Sequence, residues 1–76
     1  KIDGSFIKDI LDSPDDFAIV KSMNDIAHSL GMRTVAEYVE SPAILAKLRE
    51  IGVDYAQGFA IHKPCRIEQL LAHEAA

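Results

Sequence analysis

Two Ser-Pro pairs fix the layout of this chain. In Ser13-Pro14-Asp15-Asp16 and again in Ser41-Pro42 a serine stands just before a proline. The serine hydroxyl can accept from a free first-turn amide, and proline, with no N–H and a fixed φ, suits the first helical position. Asp15 and Asp16 add negative charge where the helix dipole is positive. After the first start, Ile19, Met23, Ile26, Ala27 and Leu30 recur at helical spacing and predict one apolar face, with Gly31 as the stop. After the second, Ile44, Leu45 and Leu48 form a stripe that ends at Gly52.

Strand-like segments lie between these helices. Met32 to Val39, built around Thr34-Val35-Ala36, reads as a short strand buried on both faces, and Val53 to Phe59 reads as another. Lys1-Ile2-Asp3 reads as the tail of an earlier strand. Lys63-Pro64 breaks the chain, and Ile67, Leu70 and Leu71 mark a last helix that should fray after Ala72. The order β-α-β-α-β-α, with helices of this size, predicts an α/β fold in which a parallel sheet is covered by helices. Three strands and 76 residues bury a modest core. Parallel sheets normally need both faces covered and their edges managed, so the chain is expected to be part of a larger α/β domain.

Composition narrows the function. The net charge is −4 and the eight basic residues are scattered, which argues against a nucleic-acid groove. No apolar run approaches the ~20 residues of a membrane helix, and Lys1-Ile2-Asp3 opens no signal peptide, so no membrane contact is expected. Cys65 stands alone at a loop–helix junction, which rules out a disulfide framework and fits a reducing cytoplasm. His28 and His73 are expected on helix surfaces and His62 in a loop, too far apart for a metal site. Asp9, Asp12, Asp15 and Asp16 lack the glycine and terminal glutamate of a calcium loop, and helix capping explains them.

Each strand places polar groups near its C-terminal end: Lys1 and Asp3, then Glu37 and Glu40, then Gln57. Parallel neighbours would bring them to one face, where α/β folds gather binding and chemistry. A buried carboxylate needs a cation, a donor or water. Lysine with carboxylate and amide suits phosphoryl chemistry, provided that a divalent cation stands between the acid and an anionic phosphate. Each residue also has a plainer reading. Lys1 could be a solvated lysine, Glu37 a salt-bridge partner, and Glu40 a charge favouring the next helix's positive end. Gln57 could be a satisfied buried amide, and Asp3 a strand-end acceptor of a backbone bond.

Three stretches, Lys1-Ile2-Asp3-Gly4-Ser5-Phe6-Ile7, Thr34-Val35-Ala36-Glu37-Tyr38-Val39-Glu40 and Asp54-Tyr55-Ala56-Gln57-Gly58-Phe59 with Lys63-Pro64, resemble the last three βα units of an EAL domain. That family comprises bacterial phosphodiesterases that open cyclic di-GMP to linear pGpG; degenerate members act as receptors or protein-interaction modules without catalysis. The resemblance covers essentially all of residues 1–76. It implies the C-terminal segment of a (β/α)₈ TIM-like barrel, modified in the family by an antiparallel strand. It also implies the rest of the barrel and cyclic di-GMP as partners, and a homodimeric intact protein. Lys1 resembles the active-site lysine that contacts phosphate or orients the attacking water. Glu37 resembles the glutamate that binds one of two Mg²⁺ or Mn²⁺ ions or serves as general base. Gln57 resembles the glutamine near the water network, Asp3 the aspartate that positions the lysine motif, and Glu40 an acid that supports a loop. Two positions depart from the pattern. Tyr38 stands where glycine is common, and its bulk is expected to exclude a positive φ; His62 stands where a small or apolar residue is commoner. Most of the family's metal ligands, including the Glu-Ala-Leu motif and an Asp-Asp pair, are not in these residues, so the segment alone is expected to be inactive.

Overall fold

A computed structural model describes residues 1–58 and 65–70. The elements run α1 (Gly4–Ile7), α2 (Pro14–Ser29), β1 (Val35–Val39), α3 (Pro42–Ile51), β2 (Tyr55–Gly58) and β3 (Cys65–Arg66), and residues 67–70 are helical. Both Ser-Pro starts form as the sequence predicts. Ser13 Oγ accepts from the Asp16 amide and Ser41 Oγ from the Ile44 amide, each at 3.2 Å. Gly52, at φ 102°, closes α3 by donating back to Leu48 and Arg49 carbonyls. Short α1 falls outside the sequence expectation; Asp3 starts it, its Oδ1 accepting from the Ser5 amide at 2.9 Å.

The sheet is parallel where β-α-β order demands it. Ile2 forms a parallel bridge to Ala36, and β1 pairs with β2 in parallel. The strands are shorter than predicted: β1 begins at Val35 and β2 at Tyr55, while Phe59, His62, Lys63-Pro64 and His73 lie outside the described residues. The wholly parallel sheet is corrected at its edge. β3 pairs with β2 in antiparallel sense, Ala56 opposite Cys65, so Cys65 is a strand residue. Only the six residues 59–64 separate the two strands, and a parallel return needs a crossover of about a dozen or more.

The core gathers between the sheet and the two longer helices. Ile7, Val20, Val39, Leu45, Leu48 and Ile67 are its largest fully buried apolar side chains. In α3 the predicted stripe is buried, Ile44, Leu45 and Leu48 together with Ile51. In α2 it is not. The inward positions are Val20 and Asn24, while Ile19, Met23, Ile26 and Leu30 are exposed, the last two at 62% and 70%. At 3.6 residues per turn the exposed stripe sits roughly 110° round the helix from the buried face. It lies on the flank turned away from α3, which meets α2 through Phe17 and Asn24. The helical period was real, but the face packed on this sheet is its neighbour.

A polar staple ties the N-terminal ends of β1 and β2 to α2. Buried Asn24 donates to the Ile51 carbonyl at 3.3 Å and accepts the Thr34 hydroxyl at 2.6 Å. The Thr34 amide donates to Asp54 Oδ2 at 2.8 Å, and His28 Nε2 reaches the same oxygen at 2.7 Å. Burial pushes the Asp54 carboxyl up. The Thr34 amide, the hydrogen bond and charge of His28, and the Thr34 hydroxyl together outweigh that and hold it below its ordinary 3.8.

Candidate functional site

At the opposite, C-terminal ends of the strands the β1–β2 register slips. Val35 faces Tyr55 and Ala36 faces Ala56, but Val39 faces Gly58. Glu37 and Tyr38 therefore share the space opposite Gln57, which is a β-bulge with its extra residue on β1. A bulge re-aims side chains. Here Tyr38 takes φ 59°, the one non-glycine residue with positive φ among those described. The expectation that its bulk excludes this conformation is corrected. An L-residue in the left-handed region costs about 1–2 kcal/mol, and the register of two buried strands is enough to impose it. Gly58 answers on β2 with φ 138°; a Cβ there would overlap the Val39 backbone.

The bulge opens a pocket of about 240 Å³ lined by Glu37, Tyr38, Gln57 and Gly58. Lys1 Nζ lies 3.7 Å from Glu37 Oε2, with the lysine side chain 60% exposed and the glutamate 35%. An exposed pair at that distance is worth about 0–1 kcal/mol, so Glu37 is not locked to Lys1. Gln57 Oε1 is buried without a hydrogen-bond partner among the described residues. A carboxylate beside an unsatisfied amide oxygen is an acceptor-only arrangement, the chemistry that a hard, hydrated cation or a donor-rich ligand satisfies. The described residues contain no group of three potential metal-ligating side chains, so any cation here would take most of its ligands elsewhere. The pocket is also smaller than the ~300–1,000 Å³ usual for drug-sized ligands, so a larger ligand would need further walls.

Of the five predicted site residues, the fold brings Lys1, Glu37 and Gln57 together at this end. Asp3 is occupied in capping α1. Glu40 is exposed beyond the end of β1, and its side chain makes no hydrogen bond or ion pair with another described residue. Gly4 also belongs to this end of the sheet, a role not read from the sequence. It is buried where α1 begins, and a Cβ there would overlap Cδ2 of the Tyr38 ring. The signal was available in the glycine that directly follows the Asp3 cap.

An acid, an amide and an ammonium thus lie at the C-terminal end of the parallel strands of an α/β protein, the end where such folds gather their binding groups. The chain belongs to the EAL domain family, which matches residues 1–64. It is 48% identical over 64 residues to the cyclic di-GMP phosphodiesterase PdeB of Shewanella oneidensis, covering 84% of this chain and 8% of that protein. It is 50% identical over 64 residues to the cyclic di-GMP phosphodiesterase PdeA of Borreliella burgdorferi, covering 84% and 10%. Among solved structures, the EAL enzyme Bd1971, bound to cAMP and cyclic di-GMP, superposes with a TM-score of 0.76 at 30% identity over 95% of this chain and 19% of that one. The PaMucR phosphodiesterase in complex with c-di-GMP gives 0.74 at 37% identity, over 92% and 28%. The chain thus spans about a tenth of the length of those two curated relatives.

Proposed function

We propose that this chain is the C-terminal part of one EAL domain, residues 1–76, in a metal-dependent phosphodiesterase that hydrolyses cyclic di-GMP to linear pGpG. The observation that carries this reading is that Glu37 and Gln57 line one strand-end pocket, with Lys1 Nζ 3.7 Å from Glu37, in a chain of this family. The (β/α)₈ barrel would be completed by preceding units, against which the exposed flank of α2 would pack. A second copy of the intact protein would form the homodimer. Among the described residues no helix is long and apolar enough to cross a membrane, and the lone cysteine suits a reducing cytoplasm.

The chain's own groups divide the work by charge. The Glu37 carboxylate would hold Mg²⁺ or Mn²⁺, sharing it with ligands from the preceding units. Bound there, the cations would supply Lewis acidity towards the phosphate. Gln57 Oε1, lacking a donor, would accept a hydrogen bond from the attacking water and turn its lone pair towards phosphorus. Lys1, held only loosely by Glu37, can move its ammonium to the phosphate oxygens, where negative charge grows during attack. Asp3 would support Lys1 through the backbone turn that it caps, and Glu40 would support the loop behind β1.

The test uses the purified protein that carries this segment, incubated with cyclic di-GMP and Mn²⁺ or Mg²⁺, with products separated and weighed by mass spectrometry. Linear pGpG that disappears with EDTA is the expected result. Tight binding without turnover would replace the enzyme with a receptor, and neither binding nor turnover would sink the reading.

A further inference from the structure

Successive side chains of a regular strand point to opposite faces, so the residue after Glu37 should turn away from the pocket. Tyr38 does not. The bulge and a φ of 59° bring its side chain to the same pocket that Glu37, Gln57 and Gly58 line. Glycine, the residue common at this position in the family, would take that φ without strain. A tyrosine held there against its own backbone preference calls for a contact that offsets the strain.

The scaffold supplies little of that contact. Tyr38 is 65% exposed, and its phenol makes no hydrogen bond with another described residue. Its close approach is to Gly4, where a Cβ would overlap Cδ2 and lie 2.5 and 2.7 Å from Cγ and Cε2. The glycine backbone therefore receives the Cδ2 edge of the ring, and the rest of the side chain stands open at the pocket wall. At about 240 Å³ the pocket cannot enclose a dinucleotide, so part of such a ligand must lie along the walls. A nucleotide whose phosphate sits at the Glu37 end carries its base one ribose away, within reach of the ring that follows Glu37. Aromatic side chains and bases stack well, because every base presents a π-face.

We propose that Tyr38 is a specificity-determining residue of this site: its exposed ring stacks on one purine base of the bound cyclic dinucleotide, a contact that glycine at this position cannot make. The identity of that ligand rests on the phosphodiesterase reading. The stack lies away from the reacting phosphorus, so it holds substrate and transition state alike and acts on KM more than on kcat.

The test measures kcat and KM for cyclic di-GMP with Mn²⁺ in the protein that carries this segment. Tyr38→Gly should raise KM about 5–100-fold, the loss expected from removing one base–aromatic stack, with a much smaller change in kcat. Tyr38→Phe keeps the ring and should stay close to the wild type. Tyr38→Leu keeps apolar bulk without the flat face and should behave like the glycine variant, which a mere packing role would not require. Glycine suits φ 59°, so Tyr38→Gly should fold; thermal melts check this, and the Phe–Leu contrast decides the matter should it fail. An unchanged KM in folded Tyr38→Gly or Tyr38→Leu, or a loss confined to kcat, overturns the stack and leaves the phosphodiesterase reading standing. A wild-type protein that binds cyclic di-GMP without turnover overturns the enzyme reading alone, and the same variants compared by Kd in titration calorimetry then decide the stack. A wild-type protein that neither binds nor cleaves it overturns both.

Discussion

His28 on α2 reaches across to Asp54, just before β2, with Nε2 2.7 Å from Oδ2. The same carboxylate oxygen accepts the Thr34 amide just ahead of β1. One carboxylate thus holds a helix end and two strand entrances in register, at the end of the sheet opposite Glu37 and Gln57.

This arrangement has a pH signature. The folded Asp54 carboxyl lies below 3.8, its ordinary value, so the ionised form is bound more tightly in the folded chain than in the unfolded one. The stability it contributes is fully present above about pH 4 and is lost as pH falls through the lowered folded value. Acid unfolding followed by circular dichroism should show Asp54→Asn less stable than the wild type at neutral pH. The gap should narrow below pH 3.8. A constant gap across that range would place the effect in packing and not in the charge.

Asn24 should matter more than its place in an apolar-looking helix suggests. Replacing it with alanine removes the donor to the Ile51 carbonyl and the 2.6 Å acceptor of the Thr34 hydroxyl, which keeps only Asp54 Oδ2 at 3.3 Å as an acceptor. Leaving a buried polar group such as the Ile51 carbonyl unsatisfied costs about 1–3 kcal/mol before relaxation. Urea unfolding should therefore place Asn24→Ala about 1–3 kcal/mol below the wild type. A loss under about 0.5 kcal/mol, typical of a surface substitution, would show that the staple is not buried in solution.

How far the sequence reached follows from where the physics is local. The Ser-Pro starts and the Gly52 stop formed because capping involves neighbours in the chain. The order of the parallel strands followed from alternation with helices, and the convergence of Lys1, Glu37 and Gln57 followed from that order. The bulge did not, because register depends on two strands at once and no single-strand pattern encodes it. Tyr38 shows the consequence: its own preference opposes φ 59°, and the pairing around it prevails. Asn24 was hidden for a similar reason, since the apolar period of α2 pointed to the flank and not to the face that packs.

Gly58 offers a direct check on the bulge. At φ 138°, with its missing Cβ directed at the Val39 backbone, alanine has neither the torsion nor the space. Gly58→Ala should destabilise the protein by roughly 2–4 kcal/mol or shift the register beside Glu37. Either result would appear as a lower melting temperature together with altered amide shifts at Glu37 and Tyr38. Wild-type stability with unchanged shifts would contradict the described register.

Glu37→Gln separates the site from the scaffold. The carboxylate is partly exposed and its pair with Lys1 is long, so its loss should change stability by less than about 1 kcal/mol. On the proposed phosphodiesterase reading, in which Glu37 holds the cation, turnover of cyclic di-GMP should fall at least about a hundredfold, because loss of a ligand would exceed the 10–100-fold effect of altering its supports. Raising Mn²⁺ should recover part of the loss if affinity is what suffers. Near-normal kcat in Glu37→Gln would exclude this residue as the cation's holder.

The exposed flank of α2 yields the last prediction. Ile26 and Leu30 are 62% and 70% exposed in these 76 residues, and substitution at such positions ordinarily changes stability by about 0.5 kcal/mol or less. Ile19, Met23, Ile26 and Leu30 nevertheless form one continuous apolar stripe, and stripes of this kind mark surfaces that another element covers. A preceding βα unit would pair with the open edge of the Ile2 strand and lay its helix along this flank. In the protein that carries the segment, Ile26→Asp should then cost about 2–4 kcal/mol, the range for placing a charge where an apolar contact existed. Asp25→Ala, one position away but off the stripe, should cost far less, since among the described residues that aspartate's side chain makes only an exposed pair with Lys21. Comparable small losses in both variants would mean that the flank faces water in the whole protein and that no such unit packs on it.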